Sequence, residues 1–493
     1  MEIMQHWLDK RAALSPDDTA IEHPMNGSIT FKQLRDQAQS FSRKVAQLGV
    51  MPGDAIAIYS NNSIDMVTAI HGLSYIGAVV VLLNTRLSNQ EIVYQLTDSN
   101  VSFVLTGDDL YENGVEIAQS RQCEVQSFEQ VSRLDEKQLS LKKEIALEDT
   151  YTIIYTSGTT GFPKGVQHTF GNHWWSAISS ALNLGLDPRD KWLASLPLFH
   201  VGGFSILMKS VIYGMPVYLL DHFDADKVHQ GIVENGVTIV SVVSVMLDRL
   251  IDRLGEQTYP EAFKCMLLGG GPAPKVLLEK AKACLVPVYQ TYGMTETSSQ
   301  IVTLSPSDAL RKLGSAGKPL FPAQLKIVNQ DSVITNDEIG EIFVKGPMVT
   351  PGYYQNDEAN SKSFHNGWLA TGDLGYLDNE GFLYVVDRRK DLIISGGENI
   401  YPAEIENVLL GMSGIVEAGV VGKDDEKWGQ VPVAFVVKNE NSLHESAVIA
   451  YCLEKLAKYK TPKHIYFLDA LPRNASNKLV RHKLVDLLYK EEE

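Results

Sequence analysis

The eleven-residue run Tyr155-Thr156-Ser157-Gly158-Thr159-Thr160-Gly161-Phe162-Pro163-Lys164-Gly165 packs hydroxyls, glycines and one lysine directly behind a short β-type stretch, residues 151–154. Glycines let backbone N–H groups come close to an anion, hydroxyls donate to phosphate oxygens, and lysine adds a mobile positive charge. The run reads as a loop that grips the phosphates of a nucleotide. It is not the common phosphate loop, in which Lys follows Gly and precedes Ser or Thr; here Pro163 precedes Lys164 and Gly165 follows it. A flexible surface turn of the same composition is the bland alternative.

Three further clusters carry possible chemistry. Lys209 sits in an otherwise apolar, helix-type stretch, residues 204–213, with Ser205 on the same face four residues earlier. A buried lysine needs an anionic partner, and no acid is near in sequence, so a ligand carboxylate is one candidate; a lysine reaching back to solvent is the other. Residues 457–481 hold six basic side chains against the single acid Asp469, in a chain of formal charge -16. Arg473 and Lys478 bracket Asn-Ala-Ser-Asn there, as in a charged loop delivered to an anion. Gly269-Gly270-Gly271-Pro272-Ala273-Pro274 follows an apolar strand, but Pro274 stands where a dinucleotide fingerprint needs its third glycine.

In chain order, the run at 155–165, Tyr292-Gly293-Met294-Thr295-Glu296, Thr371-Gly372-Asp373, Asp387-Arg388-Arg389-Lys390-Asp391, Gly396-Gly397-Glu398-Asn399-Ile400-Tyr401-Pro402 and the segment 472–478 resemble the motifs of the ANL adenylate-forming enzymes. These are the acyl-CoA synthetases, adenylation domains and firefly-type luciferases, and the likeness spans nearly the whole chain. Residues 167–184, 196–200, 209–214 and 267–274 further resemble the branch of acid–CoA ligases that acts on 2-succinylbenzoate in menaquinone synthesis.

That resemblance implies ATP, Mg²⁺ and CoA. A carboxylate is a poor acyl donor, and activation as an acyl-adenylate gives it a good leaving group, AMP. The first step brings an anion against a polyanion, so positive charge and orientation matter most. By resemblance, Thr156, Ser157, Gly158, Thr159, Thr160, Gly161 and Lys164 cradle the phosphates. Gly269, Gly270 and Gly271 line the adenine and acyl pockets, Gly270 also touching the acid. Thr291, Tyr292, Gly293 and Met294 continue the nucleotide wall. The Thr295 hydroxyl meets the α-phosphate and Glu296 holds Mg²⁺, although a capping pair at a helix start fits the same residues. Asp373, in a Gly-rich turn, takes the ribose hydroxyls, and Arg388 reaches ribose or phosphate or pairs with a neighbouring acid. His200 stands near the acyl carboxylate. Lys478 bridges that carboxylate and the α-phosphate. Lys390 is the hinge, and Gly397, Glu398 and Asn399 join the thioester site after the small domain rotates. An enzyme loading a carrier protein, a luciferase-type oxygenase and a non-catalytic nucleotide sensor are the rivals.

These residues need a scaffold. Helix-type and strand-type stretches alternate over the first two thirds, for example 31–48, 55–59, 63–75 and 78–83, then 216–220, 237–242, 265–268 and 286–289. Such alternation predicts βαβ crossovers and largely parallel sheets. From 316 to 384 short alternating strands predict a small β-rich, barrel-like unit. The expected fold is therefore α/β with a β-rich subdomain: a large domain, 1–390, of two α/β subdomains plus that unit, and a mobile α+β domain, 391–493. The negative charge argues against nucleic acid and anionic membrane as partners. With no apolar stretch long enough to span a bilayer, no N-terminal signal and four scattered cysteines, a cytoplasmic enzyme with reduced thiols is expected. The partners expected are a small carboxylic acid, ATP and CoA; the oligomeric state stays open, a homodimer included.

Overall fold

The computed structural model describes all residues except 1, 120, 122, 157–162, 271–272, 331, 335–336, 389–390, 396–397, 426–427, 440–442, 457, 475–477 and 491–493; the side chains of 387, 388, 394, 398, 399, 489 and 490 are also outside the description. Two α/β units form first. The strands Thr150–Thr156, Val79–Leu82, Ala55–Tyr59, Phe103–Thr106 and Glu124–Ser127 run parallel, and Lys164–Thr169 closes one edge antiparallel. The second sheet has a parallel heart of Thr19–His23, Val217–Leu219, Trp192–Ala194, Ile239–Val242, Cys265–Leu268 and Val288–Met294.

The period of two along each strand explains how the units stack. Ile56, Ile58, Val80 and Leu82 of the first sheet, and Trp192, Ala194, Val217 and Leu219 of the second, enter one common core. Between them lie the helices Ile64–Ile76, Phe170–Leu184 and Val201–Tyr213, the first buried along nearly its whole length. The alternate residues Ala57, Tyr59, Val81 and Leu83 pack on the outer face of the first sheet; Leu193, Tyr218 and Val240 pack on that of the second. Each such aliphatic burial contributes about 1.5–3 kcal/mol, so these apolar helices are explained as core. Among the described residues no helix is long and apolar enough to cross a membrane. The four cysteines are unpaired, with Cys265 and Cys452 buried.

The β-rich stretch is not set apart. Ser315–Pro319 pairs with Ser299–Leu304 on one side and Leu383–Arg388 on the other, so its strands extend the second sheet, which among the described residues has 15 strands, all but Phe364–His365 on one open path. A separate five-stranded sheet follows. Ile415–Asp425, Gly429–Lys438, Ile393–Ser395, Glu398–Ile400 and Ile465–Phe467 carry their own core with the helices Pro402–Leu410 and Glu445–Lys455.

Buried histidines tie this core together and give it a pH dependence. His6 stacks on Tyr75 with ring centroids 3.7 Å apart and bonds Ser74 Oγ at 3.0 Å. Burial holds His6 down to about 3, and His71 and His168 down to about 4, against an ordinary 6.5. The unfolded chain therefore binds more protons than the folded one below pH 6.5. Stability is present above 6.5 and is lost as pH falls toward 4, at up to about 1.4 kcal/mol per unit and ring. Thermal melts between pH 7 and 5 should show a falling midpoint, and His71→Phe should flatten the slope; a midpoint independent of pH would contradict this.

Candidate active site

The strands Thr150–Thr156 and Lys164–Thr169 pair antiparallel with Thr156 opposite Lys164, so the two ends of the stretch expected to grip phosphates stand side by side. Ser157, Gly158, Thr159, Thr160 and Gly161 lie outside the described residues. At the base, a Cβ on Gly165 would stand 2.9 Å from Ile153 and 3.1 Å from the Tyr155 ring, so the close crossing needs glycine. Lys164 Nζ sits 4.9 Å from the Tyr353 ring centre, and the Tyr353 hydroxyl donates to Glu296 Oε1 at 2.9 Å. Burial and the Glu296 charge raise the Tyr353 phenol, which keeps it a donor. Lys164, Tyr353 and Glu296 thus meet on one wall. Nothing in the sequence around Tyr353 marks it for this place.

The strand Val288–Met294 ends in the single 3-10 turn Thr295–Thr297, where Glu296 is only 7% exposed. A Cβ on Gly293 would lie 2.2 Å from the Ser299 carbonyl oxygen, which excludes any side chain there. Thr291 Oγ1 donates to the Leu268 carbonyl at 3.0 Å, beside Gly269, and Gly270 adopts φ +88°. Gly271 lies outside the description. Met294 N–H donates to Thr297 Oγ1 at 2.9 Å. The Tyr292 hydroxyl donates to Asp373 Oδ2 at 2.8 Å, joining two motifs 81 residues apart. Asp373 lies on the strand Trp368–Leu377 rather than in a turn, although Gly372 beside it on that strand takes a left-handed φ of +75°. Asp373 is the register partner of Arg388, whose side chain is outside the description.

The residues expected on the acid side, His200 and Lys209, belong to the helix Val201–Tyr213 and its N-cap. His200 is its N-cap, but the imidazole does not cap it. Burial, then Lys478 and Arg86, hold His200 at about 4, so the ring is neutral with two cations bearing on it. Arg86 follows the strand Val79–Leu82, in a loop that nothing in the sequence marks. Lys209 does not reach solvent: it is 1% exposed, with Nζ 3.1 Å from Ser205 Oγ and 4.8 Å from the Trp192 ring centre. Among the described residues no carboxylate pairs with it.

Lys478 comes from the far end of the chain. Its N–H donates to Asn474 Oδ1 and its carbonyl accepts from Asn474 N–H, both at 2.9 Å, closing a small hairpin. Arg473 binds Glu417 at 2.7 Å, and Arg481 binds Glu406 at 2.7 Å and Asp391 at 3.2 Å, so both feet of the hairpin are held. Lys478 is exposed, and its charge bears on His200. Glu398 and Asn399 lie on the strand Glu398–Ile400, remote in sequence from this hairpin, with side chains outside the description. Gly397 and Lys390, the expected hinge, lie outside it altogether.

Residues 8–354 match the family of AMP-binding enzymes, and residues 404–478 match the AMP-binding enzyme C-terminal domain. The chain belongs to the AMP-binding enzyme family. This AMP-binding enzyme is 57% identical to the 2-succinylbenzoate–CoA ligase of Oceanobacillus iheyensis, over 98% of this chain and 99% of that one. It is similar to o-succinylbenzoate CoA synthetase (MenE) from Bacillus subtilis in complex with the acyl-adenylate intermediate OSB-AMP: TM-score 0.94, 47% identity, 98% of each chain. Against a double mutant of that synthetase bound with its product analogue OSB-NCoA, identity is 48% and coverage 98% and 99%, yet the TM-score is 0.77.

Proposed function

We propose that this AMP-binding enzyme is an ATP-dependent acid–CoA ligase whose acid is 2-succinylbenzoate, acting in menaquinone synthesis. An oxygen of the acid's carboxylate attacks the α-phosphorus of ATP, the bond to the departing diphosphate breaks, and acyl-adenylate and pyrophosphate form. The thiol of CoA then attacks the acyl carbon and AMP leaves, giving the thioester. Lys478 supplies positive charge where carboxylate and α-phosphate meet, beside a neutral His200. Thr295 orients the phosphate and Asp373, braced by Tyr292, accepts from the ribose. Glu296 fits Mg²⁺ as a single hard carboxylate, since that ion leans mainly on phosphates and water. When bound, Mg²⁺ would offset charge on the leaving phosphates. The 57% identity over nearly the full chain supports the ligase reading.

Lys209 carries the choice of acid. It is a buried ammonium at the acyl side without a described acidic partner, and the second carboxylate of a diacid fits it. A panel of carboxylic acids read by pyrophosphate release tests this; faster release with monoacids than with 2-succinylbenzoate would count against it. An acyl-CoA synthetase for another aryl or fatty acid, or an enzyme loading a carrier protein, would give that pattern. We place the enzyme in the cytoplasm, where ATP and CoA are at hand.

We also propose a boundary at Lys390, with residues 391–493 rotating as one body between the steps. Lys478 and the segment 396–399 belong to the same small unit and serve different half-reactions, so they cannot face one ligand at once. The drop from TM-score 0.94 to 0.77 at equal coverage supports two arrangements in the family. Lys390→Pro, which restricts the torsion that must change, should lower CoA transfer more than adenylate formation. Wild-type CoA transfer in that variant would put the hinge elsewhere.

A further inference from the structure

A buried chain of hydrogen bonds ends on the turn that carries Thr295 and Glu296. His168 Nε2 lies 2.7 Å from the Thr295 carbonyl oxygen. A carbonyl only accepts, so this nitrogen carries the proton. Burial keeps the ring neutral, which leaves Nδ1 bare to accept from the Thr152 hydroxyl at 3.3 Å. Thr152 has then used its one proton, and its oxygen accepts from His173 Nε2 at 3.1 Å. One backbone carbonyl thus sets both imidazole tautomers and the direction of the hydroxyl.

The chain is built into the scaffold. Thr152 and His168 are cross-strand partners on the two strands that flank the phosphate loop. His173 stands on the helix Phe170–Leu184 with its ring centre 4.9 Å from that of Phe204. All three side chains are no more than 1% exposed. The turn they reach is strained: Ser298 and Ser299 have φ +56° and +131°, which side-chain-bearing residues rarely adopt. Such a turn keeps its shape only when held from outside. Thr350 N–H holds the Glu296 carbonyl at 2.8 Å and Ser176 Oγ holds the Ser298 carbonyl at 2.8 Å. His168 holds the first residue.

We propose that His168 is a positioning residue for the nucleotide half of the site. By fixing the Thr295 carbonyl it aims the Thr295 hydroxyl and the Glu296 carboxylate, and Thr152 and His173 keep it in register for that task. The proposal rests on the reading of Thr295 and Glu296 as the ATP–magnesium side. The test is the KM for MgATP and for 2-succinylbenzoate, by pyrophosphate release, in four variants. His168→Leu should raise the KM for MgATP about tenfold and leave that for the acid within about twofold. His168→Gln keeps a donor for the carbonyl and an acceptor for Thr152, and should stay within about threefold of wild type for MgATP. Thr152→Val, which breaks the chain one bond away, should raise it about threefold; this variant decides the matter if His168→Leu does not fold. Glu296→Gln should raise the KM for MgATP independently. An unchanged KM for MgATP in His168→Leu or Thr152→Val, with Glu296→Gln impaired, overturns the positioning role alone. A wild-type KM in Glu296→Gln overturns the underlying reading as well.

Discussion

Alanine in place of Lys478 is expected to slow adenylate formation by about 100- to 1,000-fold, while thioester formation from a supplied acyl-adenylate stays near the wild-type rate. Adenylation presses a carboxylate against a triphosphate, and a cation at that point stabilises the transition state more than the separated ground state. The hairpin that presents Lys478 is closed through Asn474 and held at both feet by Arg473 and Arg481, so the backbone that carries the lysine is fixed. The second step needs no cation between two anions, because the mixed anhydride is already formed. Measuring the half-reactions separately checks this. Equal losses in both would assign Lys478 to folding or to the hinge.

The second large effect concerns the acid. Lys209→Met keeps most of the side-chain volume and removes the charge. It should raise the KM for 2-succinylbenzoate at least about 30-fold, because losing one side of a buried charge-assisted pair costs about 2–5 kcal/mol. The KM for ATP should be nearly unchanged. Preference for the diacid over an analogue lacking the anchored carboxylate should shrink by the same factor. Burial lowers the Lys209 ammonium to about 7. Without acid bound, the group is charged below pH 7 and neutral above it. The KM for the diacid should therefore rise with pH above 7, by up to about tenfold per unit, and Lys209→Met should abolish that slope. Unaltered discrimination between the two acids in this variant would remove the anchoring role.

Local chemistry made much of the fold legible. The strand at residues 265–268 follows from a short apolar run, and its observed bounds, Cys265–Leu268, are the same. Lys209 was marked by its own incongruity, one cation on an apolar helix with a serine one turn away, and that pair is bonded as the spacing implied. What stayed hidden is what the chain brings together over long range. Tyr353 reaches Glu296 across 57 residues and His168 reaches Thr295 across 127. Neither carries a local signal, because a buried tyrosine or histidine looks the same in sequence whether it fills space or aims a carboxylate. The continuity of the β-rich stretch with the second sheet was hidden for a similar reason. It depends on the pairing of Ser315–Pro319 with Leu383–Arg388, whose partners are set by edge geometry rather than by composition.

The most direct measurement is a single turnover with excess enzyme, ATP, Mg²⁺ and 2-succinylbenzoate, without CoA, following pyrophosphate and the mass of the bound product. An acid–CoA ligase of this kind should release close to one equivalent of pyrophosphate and hold 2-succinylbenzoyl-AMP, which added CoA converts to the thioester with release of AMP. Release of orthophosphate with ADP, or no pyrophosphate with this acid under conditions where another acid reacts, would contradict it.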